Sequence, residues 1–327
     1  MNMLKVNRLV SGGVITNYKC SSKCKHCSYS CSPKWERDYM DETTASNIFR
    51  ILKKQGCHSV HIGGGEPFLQ PEKLLKVLAS AANNGVSVEY IETNASWYID
   101  EDKTMSILYD IKEHGVDTLL ISIDPFHNEY IPFWKTKSLI KACYNAGVGV
   151  FPWQMEFWPD LDSFDERTTH SLKEYEGKFG KSYIDNLLGR YGINLKGRAF
   201  KTFKSQLKMQ SFNDIMNSSR PCGLLSGVYH FHLDLYENFI PQSCPGFSIK
   251  IDELIKGADQ EKYKVLYSLE SSGVAGLCNL AVNKYGYVPK EEYKGKCDLC
   301  YDIRSFLVLD LKLDLPDLQP VGHYLFV

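Results

Sequence analysis

The feature that most limits how this 327-residue chain can fold is an alternation of strand-like and helix-like segments with a period of about thirty residues. Residues 41–55, DETTASNIFRILKKQ, carry Ala45, Ile48, Phe49 and Leu52 at helical spacing, and Gly56 can end that helix. The apolar run SVHIGGGEP follows, and Pro71 suits the first turn of a second helix with Leu74, Leu75 and Leu78 on one face. VSVEYIET, VDTLLISID and VGVFPWQMEF read as further strands, separated by the helices KTMSILYDIKEHG and KSLIKACYNAG. The strands after the first begin near residues 59, 86, 116 and 147. LVSGGVIT at 9–16 reads as the first strand and INLKGRAF at 193–200 as a sixth. The expected fold is α/β: a partial (β/α)6 TIM-like barrel over 1–200, then a small α+β region over 201–327. In barrels of this kind the chemistry sits on loops at the C-terminal ends of the strands.

The loop after the first strand, NYKCSSKCKHCSYSCSPKW, holds Cys20, Cys24, Cys27 and Cys31. The N-terminus has no apolar run of signal-peptide length, and no segment approaches the roughly 20 apolar residues of a membrane span. A cytoplasmic protein is expected, and disulfides are rare there. Eleven cysteines then point to metal or cluster binding, with some thiols acting as small core groups. The net charge of −1 gives no electrostatic argument for a nucleic-acid or membrane partner.

Cys20, Cys24 and Cys27 form C-x3-C-x2-C, and three thiolates on one loop can hold three corners of a 4Fe–4S cube, leaving one iron open. A zinc site completed by Cys31 or His26 is the rival, but it does not explain the glycines and Glu66 after the second strand. With Gly64-Gly65-Glu66-Pro67, Thr93-Asn94 and Ser122-Ile123-Asp124 at later strand ends, the chain resembles the radical S-adenosylmethionine (SAM) enzymes. That resemblance implies a 4Fe–4S cluster on Cys20, Cys24 and Cys27 and SAM on its open iron. It implies reductive cleavage of SAM to a 5′-deoxyadenosyl radical that takes a hydrogen atom from substrate. It assigns Gly64, Gly65 and Glu66 to the methionine amino group, and Ser122 and Asp124 to the ribose or methionine end, with Thr93 and Asn94 in the same cofactor site. Capping of the strand end is the plainer role for Ser122 and Asp124. Cys31, Cys57 and Cys143 read as packing residues.

Further on, VYHFHLDLYENFIPQSC alternates like a hairpin with a turn near Glu237-Asn238. Cys222, Cys244, Cys297 and Cys300 flank and follow it, in an order similar to the SPASM and twitch regions that follow the barrel in many radical SAM enzymes. The resemblance implies a second, auxiliary 4Fe–4S cluster on these four; zinc remains a rival. The turn reads Glu-Asn where those regions usually have Asp-Gly. Cys278, in VAGLCNLAV, is either a ligand, a hydrogen donor or, as its apolar neighbours favour, a core residue.

HCSYSCSP resembles the cluster loop of radical SAM peptide epimerases, whose donor thiol directly follows a ligand cysteine; here Pro245 follows Cys244. The resemblance therefore implies a peptide or peptide-like substrate, modified by epimerisation, crosslinking or oxidation. A small molecule of cofactor or antibiotic biosynthesis, or a non-catalytic iron–sulfur or zinc protein, are the alternatives. A flavodoxin- or ferredoxin-type electron donor is implied as partner. With 19 residues before Cys20, a peptide is expected to need direct docking or a separate recognition protein. Arg198, after the expected sixth strand, is a candidate for a substrate carboxylate or phosphate. The aromatic run FPWQMEFWP is expected to be core rather than pocket.

Overall fold

A computed structural model describes residues 4–241 and 244–327. Its first half follows the repeat. Strands β1 (Ser11–Ile15), β2 (Ser59–Gly63), β3 (Ser87–Thr93), β4 (Thr118–Ser122) and β5 (Gly149–Trp153) pair in sequence order, all parallel. Helices α1 (Glu42–Lys54), α2 (Pro71–Asn83), α3 (Glu101–Glu113) and α5 (Phe133–Ala146) lie between them, with the one-turn α4 (Pro125–Asn128) after β4. Local chemistry sets these bounds. Asp41 accepts the Thr44 N–H at 2.8 Å to start α1, and Asp100 accepts the Lys103 N–H at 2.9 Å to start α3. Gly147 ends α5 at φ +63°, a conformation costly for other residues. The helices bury the faces the spacing predicts: Ala45, Ile48, Phe49 and Leu52 of α1 are all fully enclosed.

The sixth strand is not where the sequence placed it. Residues 193–196 are irregular and 197–203 are helical. After α6 (Trp158–Asp162), α7 (Leu172–Phe179), α8 (Tyr183–Tyr191) and α9 (Gly197–Phe203) come the two-residue β6 (Gln210–Ser211) and α10 (Phe212–Asn217). Only then does β7 (Tyr229–Asp234) join the sheet, parallel to β1 rather than beside β5. The first strand of the expected hairpin thus supplies the sixth parallel strand. β8 (Asn238–Ile240) returns antiparallel, and β9 (Ile249–Lys250) pairs with β8, giving the order β5-β4-β3-β2-β1-β7-β8-β9. The turn carries Glu237 at φ +60°, the left-handed position a glycine usually fills. Of the expected hairpin closure PQSC, Gln242 and Ser243 lie outside the described residues, as do Met1–Met3 of the N-terminus.

The rest is helical: α11 (Ile251–Lys256), α12 (Lys264–Tyr285), α13 (Lys296–Ser305) and α14 (Gly322–Leu325), with a two-residue strand β10 (Glu292–Tyr293) pairing β6. One helix, α12, is long and apolar enough to cross a membrane by length and composition, contrary to the sequence reading. Half of its most apolar stretch is buried in the protein, and Gly273 at φ +65° interrupts it.

Candidate functional site: a three-cysteine loop over a half-barrel mouth

The loops after β1, β2, β3 and β4 meet at one end of the parallel strands. The cysteine loop is held there by backbone bonds. Gly65 donates its N–H to the Asn17 carbonyl at 2.8 Å, and Glu66 donates to the Lys19 carbonyl at 3.1 Å. The Asn17 amide donates in return to the Glu66 carbonyl at 3.1 Å. Here two glycines are obligatory. A Cβ on Gly65 would lie 2.0 Å from the Lys19 carbonyl oxygen, and one on Gly64, at φ +143°, 2.5 Å from that of Asn17.

Cys20, Cys24, Cys27, Gly64, Gly65, Thr93, Asn94 and Ser122 all line one cavity of about 390 Å³. Asn94 donates its side-chain N–H to Cys20 Sγ at 3.4 Å. Burial raises the thiols of Cys20 and Cys24, whereas a hydrogen bond from Cys31 and the Arg198 charge lower that of Cys27. Cys31 is buried, as a packing residue would be, and also lines the cavity. Among the described residues no three cysteine sulfurs lie within 4.8 Å of one another.

Two expected cofactor residues turn away from the cavity. The Glu66 carboxylate, fully enclosed, accepts from Asn94 N–H at 2.8 Å, Phe68 N–H at 3.1 Å and the Thr93 hydroxyl at 3.0 Å. It ties the β2 loop to the end of β3, and burial pushes it up to about 7 despite these bonds. Asp124, also fully enclosed, caps α4 through the Phe126 and His127 N–H groups, both at 3.0 Å, and accepts from His127 Nδ1 at 2.7 Å. The His127 pair holds Asp124 down at about 2. Capping, the plainer role, is the one the structure gives Asp124. His127 itself lines the cavity beside Cys24, a position sequence spacing did not reveal.

Arg198 is corrected too. It sits on α9 and is 4% exposed, so it does not face substrate. Its guanidinium donates to the carbonyls of Cys24 at 3.0 Å, Ser30 at 2.8 Å, Cys31 at 2.9 Å and Phe326 at 2.9 Å. The C-terminal α14 adds His323, whose Nδ1 bonds the Tyr29 carbonyl at 2.9 Å. The cysteine loop is thus clamped from three distant parts of the chain.

The inner wall was missed from sequence. Tyr90 and Glu92 on β3, Phe151 and Trp153 on β5, and His230 on β7 line the same cavity. Phe151 and Trp153, expected in the core, are 44% and 39% exposed. Tyr90 and Glu92, two apart on one strand face, were the available signal. His230 is aimed by a bulge: the β1–β7 register shifts there, and its φ is +57°. His61 on β2 and His232 on β7 meet Nε2 to Nε2 at 3.1 Å beneath it.

The second constellation also assembles. Cys222, Cys244, Cys297 and Cys300 line one enclosed cavity of about 120 Å³. Cys297 and Cys300 lie one turn apart on α13, and Lys196 donates to Cys297 Sγ at 3.4 Å. Cys278 lines neither cavity; it is a core residue of α12, 1% exposed.

A parallel half-barrel thus carries three cysteines of one loop on the cavity at its mouth. Residues 14–148 match the model of the radical SAM superfamily, and this segment of the chain is a radical SAM domain. The match extends over 14–148 of the 327 residues. No curated protein matches the sequence. Among solved structures it overlaps anSMEcpe with bound AdoMet (TM-score 0.45, 15% identity, 76% of this chain and 80% of that one). It also overlaps Streptococcus suis SuiB bound to precursor peptide SuiA (0.37, 14%, 97% and 76%). A third is BtrN in complex with AdoMet and 2-DOIA (0.41, 13%, 84% and 92%). Likenesses at this level do not bear on the reaction.

Proposed function

We propose that the chain uses SAM to generate a radical at the half-barrel mouth and modifies a peptide or peptide-like substrate there. The observation that carries this is the convergence of Cys20, Cys24 and Cys27 with Gly64 and Gly65 on one cavity. When bound, a reduced 4Fe–4S cluster supplies the electron that cleaves SAM to a 5′-deoxyadenosyl radical. The chain's own residues do the rest. Asn94 donates to Cys20 and steadies its thiolate. Gly64 and Gly65 let the β2 loop seat against the cysteine loop and line the cavity with backbone, whose carbonyls can meet a ligand ammonium. Ser122, Thr93 and Asn94 offer hydrogen bonds to the remainder of SAM. The half-barrel wall excludes water from a reactive carbon.

Cys222, Cys244, Cys297 and Cys300 would hold a second cluster, which accepts an electron or binds substrate. Cys278 is too deep in α12 to return a hydrogen atom, and Pro245 occupies the usual donor position. That favours crosslinking or oxidation over epimerisation. A low-potential flavodoxin or ferredoxin would be the electron donor, and a separate protein would present a peptide.

Anaerobically reconstituted protein given dithionite and SAM is expected to release 5′-deoxyadenosine, and Cys24→Ala to release none. Equal behaviour of the two proteins would overturn the reading.

A further inference from the structure

Glu92 is the unexplained charge in the cavity. Among the described residues its carboxylate accepts no hydrogen bond, and its nearest basic atom is His61 Nε2 at 3.8 Å. Burial lowers His61 to about 4 and also lowers His230, so the two imidazoles beside it are neutral near pH 7. No described residue lining the cavity is a lysine or arginine. The fold nevertheless makes room for this group: a Cβ on Gly63 would lie 2.7 Å from Glu92 Oε2. The Glu92 side chain is 43% exposed and opens on the cavity, where a carboxylate with no hydrogen-bond donor is free to meet a ligand cation.

Aromatic faces stand beside it. Tyr90 meets Phe151 edge-on at 6.1 Å between ring centroids, and Phe151 meets Trp153 at 5.9 Å. All three rings line the cavity, Phe151 and Trp153 from β5 at the edge of the sheet, while one face of Tyr90 stacks on His61. Aromatic faces attract cations, and a carboxylate completes the set.

We infer that this inner wall recognises a positively charged substrate group, the ammonium or guanidinium of a lysine- or arginine-like side chain, held by Glu92 against Tyr90, Phe151 and Trp153. The inference rests on the reading that the cavity is the substrate site. It names what kind of substrate enters: a cationic residue, drawn by the Glu92 carboxylate on a wall that carries no lysine or arginine among the described residues. SAM is itself a cation, but Glu92 lies within β3, below the loops that carry the cysteines and Gly64-Gly65.

The test uses the full chain, cluster-reconstituted and SAM-loaded, titrated calorimetrically at pH 8 with the tripeptides Ala-Lys-Ala, Ala-Arg-Ala and Ala-norleucine-Ala. At least one cationic peptide is expected to bind tenfold or more tightly than the norleucine peptide. Glu92→Gln is expected to remove that preference while leaving SAM affinity unchanged, which also shows that the variant is folded. Equal binding of all three peptides, binding by none, or a preference that survives Glu92→Gln would overturn the inference. So would a matching loss of SAM affinity in Glu92→Gln, because Glu92 would then belong to the SAM site. SAM binding and 5′-deoxyadenosine release by the unaltered protein, measured on the same sample, test the proposed function separately.

Discussion

Arg198 donates to the carbonyl of Cys24 across 3.0 Å, although 174 residues separate them. The same guanidinium holds Ser30, Cys31 and Phe326 by their carbonyls, so one buried charge sets the shape of the cysteine loop. Arg198→Met is expected to leave these carbonyls unpaired and cost about 3 kcal/mol or more. The urea midpoint should fall and iron per chain should drop below that of the unaltered protein. Arg198→Lys, a point charge without the planar fork, should fall between the two. An unchanged iron content in Arg198→Met would remove Arg198 from its role in shaping the loop.

Gly65→Ala places a methyl 2.0 Å from the Lys19 carbonyl oxygen, so the β2 loop must shift against the cysteine loop. Displacement by about 1 Å at a reacting centre costs on the order of a hundredfold in rate. 5′-Deoxyadenosine release should fall by about that factor. Gly115→Ala is the control: Gly115 has φ +83° but nothing within 4 Å of a new Cβ. It should cost about 1 kcal/mol of stability and leave release unaltered.

Cys297 and Cys300 share one face of α13 and one cavity with Cys222 and Cys244. A Cys297→Ala/Cys300→Ala protein should lose the iron and sulfide of one cluster and keep those of the other. Elemental analysis after reconstitution decides it; zinc in place of iron would refute the auxiliary cluster.

His323 is buried against the Tyr29 carbonyl, and desolvation lowers it to about 3. The unfolded chain binds a proton on this side chain near pH 6.5, whereas the folded chain resists until about pH 3. The unfolded state therefore holds more protons in that window, and stability must fall as pH drops from about 6.5 toward 3. His323→Asn keeps a donor for Tyr29 but does not titrate. Its urea midpoint should decline less steeply below pH 6.5, by up to about 1.4 kcal/mol per pH unit. Parallel pH profiles for the two proteins would contradict this.

Much of the molecule was legible in its sequence, and the reason is locality. The thirty-residue βα period, the caps Asp41 and Asp100 and the stop at Gly147 act over a few residues, so spacing reveals them. The C-x3-C-x2-C triplet and Gly64-Gly65 are likewise short-range patterns, and the structure brings them to one cavity. What tertiary structure alone decided are the long-range pairings. β7 rather than 193–200 became the sixth parallel strand, because its place beside β1 depends on edge pairing between strands over two hundred residues apart. Glu66 became a support because the Asn94 N–H at the end of β3 claimed its carboxylate, whereas Asp124 caps its own α4 through N–H groups two and three residues on, a short-range role. Arg198 became a clamp on the loop, and Glu92, Phe151 and Trp153 became the cavity wall. A sequence shows which side chains a strand carries and in what alternation; the curl of the finished sheet decides which of those faces look onto a cavity.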